Sequence, residues 1–185
     1  TFAFVKATQG VTQDPYYQQH LENARKYHVI VGAYHFFTIG DDINAQISNF
    51  TQLVKISKGD LPPVLDIESE YSDQKAYITK LRRYGVKKMQ DDAIKWLTAV
   101  ESYYGIKPII YTSEVWKRHF LNDRRFDSYD FWISRYYNVE PKNDKWVFWQ
   151  RTCKAILHGY NGEIDVNIYH GDFKGFLNYR NNIHK

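Results

Sequence analysis

The chain has 185 residues, 43% of them hydrophobic and 25% charged, with a formal net charge of +4 at pH 7. That balance describes one soluble globular domain, not a disordered segment, and its mild charge without a recognisable basic module excludes a nucleic-acid partner. No apolar run reaches the roughly 18 residues that span a bilayer, and a single cysteine, Cys153, excludes an internal disulfide.

TFAFVKAT at 1–8 reads as a strand closed by Gln9-Gly10. Asp14-Pro15 then offers a cap and a first helical position, followed by Tyr17, Leu21, Ala24 and His28 at helical spacing. VIVGAYHFF at 29–37 is the next strand, and Ile43, Ile47, Phe50 and Val54 mark one face of a helix. PPVLDIE at 62–68 is a strand again, whereas 69–86 is polar and carries no clear period. A helix over about 88–104 presents Met89, Ala93, Trp96, Leu97 and Val100 on one stripe and stops at Gly105. KPIIYTS (107–113), DFWISRY (130–136), WVFWQ (146–150) and GEIDVNIY (162–169) complete seven strand candidates. Strands alternating with helices predict an α/β fold, a parallel sheet with helices outside, in one domain over 1–185.

Parity separates a closed barrel from an open sheet. In VLDIE, Leu65 and Ile67 share one face while Val64, Asp66 and Glu68 share the other; in EIDVNIY, Ile164, Val166 and Ile168 oppose Asp165, Asn167 and Tyr169. Apolar residues toward helices and polar residues toward a lumen are barrel behaviour. Asp66 and Glu68 then stand about 6.6 Å apart along one strand face, at the end where barrel enzymes carry out chemistry. Two carboxyls so close in a low-dielectric pocket push their pKa values apart, leaving an acid beside a charge. Glycoside hydrolysis needs that division. A divalent ion held by the pair with His35 and Asp165 is the rival chemistry, although no HxH or HExxH spacing accompanies it; a capping or surface acid pair is the structural alternative. The unusual aromatic content, 17% with 16 Tyr and 5 Trp, suits a surface that grips sugars, though most of these rings are expected in the core.

AFVKATQG, VGAYHFF, LPPVLDIE, KPIIYTS, FWISRY, FWQ and IDVNIY, in this order, resemble glycoside hydrolase family 25, the Chalaropsis-type lysozymes or N-acetylmuramidases. SKGDLPPVLDIE and YGIKPIIYTS resemble members from Bacteroidetes-type bacteria in particular. The resemblance implies a modified TIM-like (β/α) barrel. It also implies cleavage of the β-1,4 bond between N-acetylmuramic acid and N-acetylglucosamine in peptidoglycan, by a secreted or cell-envelope protein that needs no metal or cofactor. By that analogy Glu68 is the general acid/base, Asp66 steadies positive charge or orients the 2-acetamido group, and Asp165 is a third acid. Trp149 and Gln150 match a sugar-contacting pair, and Tyr34, His35, Tyr111, Arg135 and Tyr136 fall near the same rim. Trp132 is expected in the core.

The family pattern starts with a strand of the type GIDVS, and nothing like it precedes Thr1. The expectation is therefore a barrel whose first β/α unit is missing from this chain, monomeric when complete. Gln9 stands where many relatives carry Glu. A wall-glycan binding protein that does no chemistry on the same fold is the alternative reading.

Overall fold

The computed structural model describes residues 1–70, 73–136, 138–141 and 145–183. In chain order its elements are β1 (Phe2–Gln9), β2 (Thr12–Gln13), α1 (Tyr17–Lys26), β3 (Ile30–Phe36), α2 (Ile43–Leu53), β4 (Val64–Asp66), α3 (Gln74–Tyr84) and α4 (Val86–Tyr104). Then come β5 (Ile109–Ser113), α5 (Glu114–Phe120), a 3₁₀ turn (Arg124–Ser128), β6 (Asp130–Ser134), β7 (Trp146–Ile156), β8 (Glu163–Tyr169) and α6 (Phe173–Asn182). One curled sheet holds all the strands in the order β2-β1-β3-β4-β5-β6-β7-β8, with helices around it. Every predicted strand is present.

The expected all-parallel sheet is corrected at both ends. From β1 through β3, β4, β5 and β6 to β7 the pairs are parallel, but β2 returns antiparallel on β1 and β8 runs antiparallel to β7. The reason is connection length. Between β7 and β8 only residues 157–162 intervene, enough for a hairpin and too few for the crossover that a parallel pair needs.

Local chemistry sets the helix boundaries. Asp42 caps α2 by accepting from the Ala45 amide, and Asp73 caps α3 by accepting from the Lys75 and Ala76 amides. That cap starts a helix in the polar stretch that periodicity left unassigned: only Tyr77 and Leu81 of α3 are buried, too few to write a clear stripe. Asp14 does not cap α1 directly. Its carboxylate accepts from the Tyr16 amide, and the helix begins at Tyr17. His28 lies beyond α1 in a left-handed conformation, outside the predicted helix face. Gly105 ends α4 at φ 68°, the αL conformation that glycine adopts without penalty.

Two apolar layers lie on opposite sides of the sheet. The outer layer packs Leu65, Ile67, Ile110, Phe131 and Ile133 against Phe50, Trp96, Leu97 and Val100 of the helices. The inner layer joins Val64, Ile109, Trp132 and Phe148 to Phe176 of α6 and to Phe2 and Phe4. Gly32 makes room there, because a Cβ on it would stand 2.6 Å from the Phe4 ring. α6 covers one end of this layer: Phe176 meets Phe2 and Tyr169, and the Tyr179 hydroxyl donates to Asp130 at the start of β6, 3.0 Å away. With the N-terminal ends of the parallel strands closed in this way, polar chemistry is left to their C-terminal ends.

Candidate active site

β4 is buried on both faces, and its alternation decides what each face meets. Leu65 and Ile67 join the outer layer while Val64 joins the inner one. Beyond the strand's last residue the chain stays extended, because the Ile67 amide donates to the Tyr111 carbonyl and the Thr112 hydroxyl to the Ile67 carbonyl. Glu68 therefore keeps the parity of Asp66, and both carboxyls line one cavity of about 250 Å³.

The opposite wall comes from the far end of the sheet. Asp165 and Asn167 of β8 line the same cavity, as do Tyr34, Tyr111 and Trp132. Asp165 is the third residue of β8, not near its end, and it reaches the C-terminal rim of the parallel strands only because β8 runs antiparallel. Phe2 and Phe4 supply apolar lining. The acid pair and the third acid, nearly 100 positions apart in sequence, are thus brought around one small space.

Burial dominates the electrostatics. Asp66 is 6% exposed, and its Oδ1 has no hydrogen-bond partner among the described residues. Desolvation raises its pKa well above the ordinary value, the Glu68 charge raises it further, and the Lys6 ammonium pulls the other way. Glu68 is pushed up to about 7, first by burial and then by Asp165. Burial raises Asp165 as well, and a hydrogen bond from Gln150 moderates it. Near neutral pH such a cluster holds protons that isolated carboxyls would release.

Gln150 organises this wall. Its Oε1 accepts from the Tyr111 hydroxyl at 2.7 Å and from the Tyr136 hydroxyl at 3.1 Å. Two donors on the carbonyl oxygen orient the amide, so its NH₂ is the group left for Asp165. Burial and the neighbouring carboxyls hold the Tyr111 and Tyr34 phenols far above their ordinary pKa, so both remain hydrogen-bond donors. On the same wall the Trp132 indole donates to Asn167 Oδ1 at 2.8 Å.

Several expected rim residues lie elsewhere. His35 is the neighbour of Tyr34 on a strand and so faces the other way, into the outer layer, 0% exposed. Its ring lies between the Thr8 hydroxyl (2.7 Å) and Gln46 Oε1 (3.0 Å) and stacks on Trp96 at 5.4 Å. That position corrects its assignment as a sugar contact and removes it from the rival metal set. Trp149 is corrected likewise. β7 gains a residue against β6 between Trp146 and Phe148, so Trp146 and Trp149 both face the helices while Phe148 and Gln150 face inward. The Trp149 indole donates to the Arg135 carbonyl at 2.7 Å, and the Arg135 guanidinium pairs with Glu114 outside the cavity. Tyr136 touches the site through Gln150 and lines an adjoining groove.

Trp132 is buried in the inner layer, as expected, and also lines the cavity; Lys6 lies outside the lining and acts on Asp66 through its charge. The register pairs Tyr111 with Trp132, and neighbours in register share a face; outward Phe131 and Ile133 on either side were the available signal. Among the described residues no group of three or more His, Cys, Asp or Glu is arranged to hold a metal ion.

Comparison with known proteins points the same way as the geometry. The family model "Glycosyl hydrolases family 25" matches residues 1–160. The YegX protein of Escherichia coli (strain CFT073) is 34% identical over 182 residues, covering 95% of this chain and 62% of its own length, so the chain spans less than two thirds of that relative. Lysozyme M1 of Streptomyces globisporus is 27% identical over 203 residues, covering 98% of this chain and 64% of its own. Among solved structures, a family 25 glycosyl hydrolase from Bacillus anthracis superposes with a TM-score of 0.83 at 32% identity, covering 96% of this chain and 82% of that one. A bacterial lysozyme from Streptomyces coelicolor gives 0.85 at 25% identity, covering 99% and 87%.

Proposed function

The chain belongs to glycosyl hydrolase family 25, and from that premise we propose that it hydrolyses peptidoglycan, cutting the β-1,4 bond between N-acetylmuramic acid and N-acetylglucosamine. The observation that carries this reading is Glu68, a carboxyl raised to about 7 at a cavity it shares with Asp66 and Asp165. A general acid works best when its pKa lies near the working pH.

Glu68 delivers its proton to the glycosidic oxygen as the bond from that oxygen to C1 breaks. Positive charge develops at C1 and its ring oxygen. The carbonyl oxygen of the substrate's own 2-acetamido group attacks C1 from the opposite face, and Asp66 orients that group and steadies its charge. Glu68, now a carboxylate, takes a proton from the water that attacks C1 and reopens the ring so formed, with net retention. Burial, and after it Asp165 held by Gln150, keeps the pKa of Glu68 high, and the Tyr111 and Tyr34 phenols stand by as donors to the acetamido or hydroxyl groups. The curled sheet acts in this reading as an open variant of a β/α barrel. A wall substrate implies a secreted or envelope protein; among the described residues no helix is long and apolar enough to cross a membrane.

Turbidity clearing of purified walls, with counting of new reducing ends, tests the proposal. The protein is expected to clear walls and Glu68→Gln to lose the activity while staying folded. Full activity in Glu68→Gln removes Glu68 from the role, and retention on walls without new reducing ends establishes a binding protein instead.

A further inference from the structure

Beside the reactive cavity lies a second, larger space. A groove of about 700 Å³ runs between α3 and α5 and adjoins the cavity at Glu68, which lines both. Its character is different. Ile78, Trp116 and Phe120 form an apolar lining, whereas Arg82 and His119 give it a cationic and polar side. Trp116 is anchored by Phe120 at 4.3 Å and by Tyr77 at 5.4 Å, so the aromatic wall is built into the packing.

The cations near the groove are not equivalent. Lys80 is tied to Glu70, and Arg135 to Glu114. Arg82 forms no ion pair among the described residues, yet it lines the groove on the exposed side of α3. Apolar walls with an uncommitted guanidinium suit a short acidic peptide better than a sugar, since methyl and methylene groups fill the walls and a carboxylate meets the guanidinium bidentately. In peptidoglycan one such group hangs beside the scissile bond: the peptide stem, which is carried on the lactyl ether of each muramoyl residue and bears free carboxylates.

Building on the muramidase reading, we propose that the groove between α3 and α5 receives the acidic peptide stem of the muramoyl residue being cleaved, with Arg82 as the cation that recognises it. The chain then prefers stem-bearing glycan to naked glycan. Glu68, which lines both spaces, gives the preference its physical basis, because a stem seated in the groove holds its own sugar against the acid.

The test compares kcat/KM on soluble glycan strands with stems intact and on the same strands stripped by an amidase. Unmodified protein is expected to favour the stem-bearing strands, and Arg82→Glu to lower the ratio about tenfold, chiefly through KM, with Arg82→Lys recovering part of it. A ratio near one in the unmodified protein, or a ratio that Arg82→Glu leaves in place, overturns the proposal. If unmodified protein releases no reducing ends from either substrate, the muramidase reading fails by itself. Calorimetric titration with a soluble muramoyl peptide then decides the groove: binding that Arg82→Glu weakens sustains it, and absence of binding overturns it.

Discussion

Replacing Glu68 by Gln should make the protein more stable at alkaline pH while removing its activity. The carboxyl sits in a low-dielectric space facing Asp165, and its pKa rises from the ordinary 4.5 to about 7. Between those values the native state keeps a proton that the unfolded chain releases, so Glu68 makes stability fall as pH rises through that window. Above about 7 the native state carries the full cost of a confined charge, roughly 3 kcal/mol for a shift of this size. Glutamine has the same shape without the charge. Its gain over the parent should therefore be near zero at pH 4, grow between 4.5 and 7, and level off above. Urea unfolding of both proteins at pH 4, 6 and 8, with wall clearing measured in parallel, reads both effects; loss of a general acid costs a factor of about 10²–10⁴. A stability difference that does not change with pH, or a Gln variant less stable than the parent at pH 8, would refute the claim that Glu68 is a confined charge held for chemistry.

His35 should produce the opposite limb. Burial holds its pKa down at about 4, so the unfolded chain takes up a proton below its ordinary value near 6.5 while the native ring does not, and stability falls as pH drops from there to about 4. In His35→Asn that limb should vanish, with a loss of about 2–3 kcal/mol at pH 7 from the broken stack and hydrogen bonds, read by the denaturation midpoint. Tyr111→Phe removes a hydroxyl that orients Gln150 and should lower kcat/KM about tenfold without a large change in folding, as the net value of one such bond suggests; wall-clearing rates at equal folded concentration check it. Gly32→Ala forces a Cβ against the Phe4 ring and should cost about 1–3 kcal/mol, seen as a lower thermal midpoint.

Much of the architecture is written locally. Runs such as VLDIE and EIDVNIY carry their own alternation, and that alone assigns Asp66, Glu68 and Asp165 to the polar face of their strands, because side chains alternate with a period of two whatever the strand pairs with. Gly105 marks the end of α4 for the same kind of reason, an αL residue with no side chain to clash. Parity within a strand does not say how neighbouring strands align, and there the tertiary structure decides. His35 and Trp149 sit beside true cavity residues in sequence and face away from them. Alternation by itself separates each from its neighbour, His35 from Tyr34 and Trp149 from Gln150, whereas the added residue in β7, which only pairing with β6 reveals, puts Trp146 on the face of Trp149. Trp132 enters the site through its register with Tyr111. Asp165 reaches the right end of the sheet because a short connection turns β8 back on β7, and there its charge adds to the burial that raises the pKa of Glu68. Local alternation was enough to place the side chains of β4 and β8 on their faces; the irregular register of β7, the assembly of the faces around one cavity, and with it the chemistry, came from long-range pairing that no local pattern encodes.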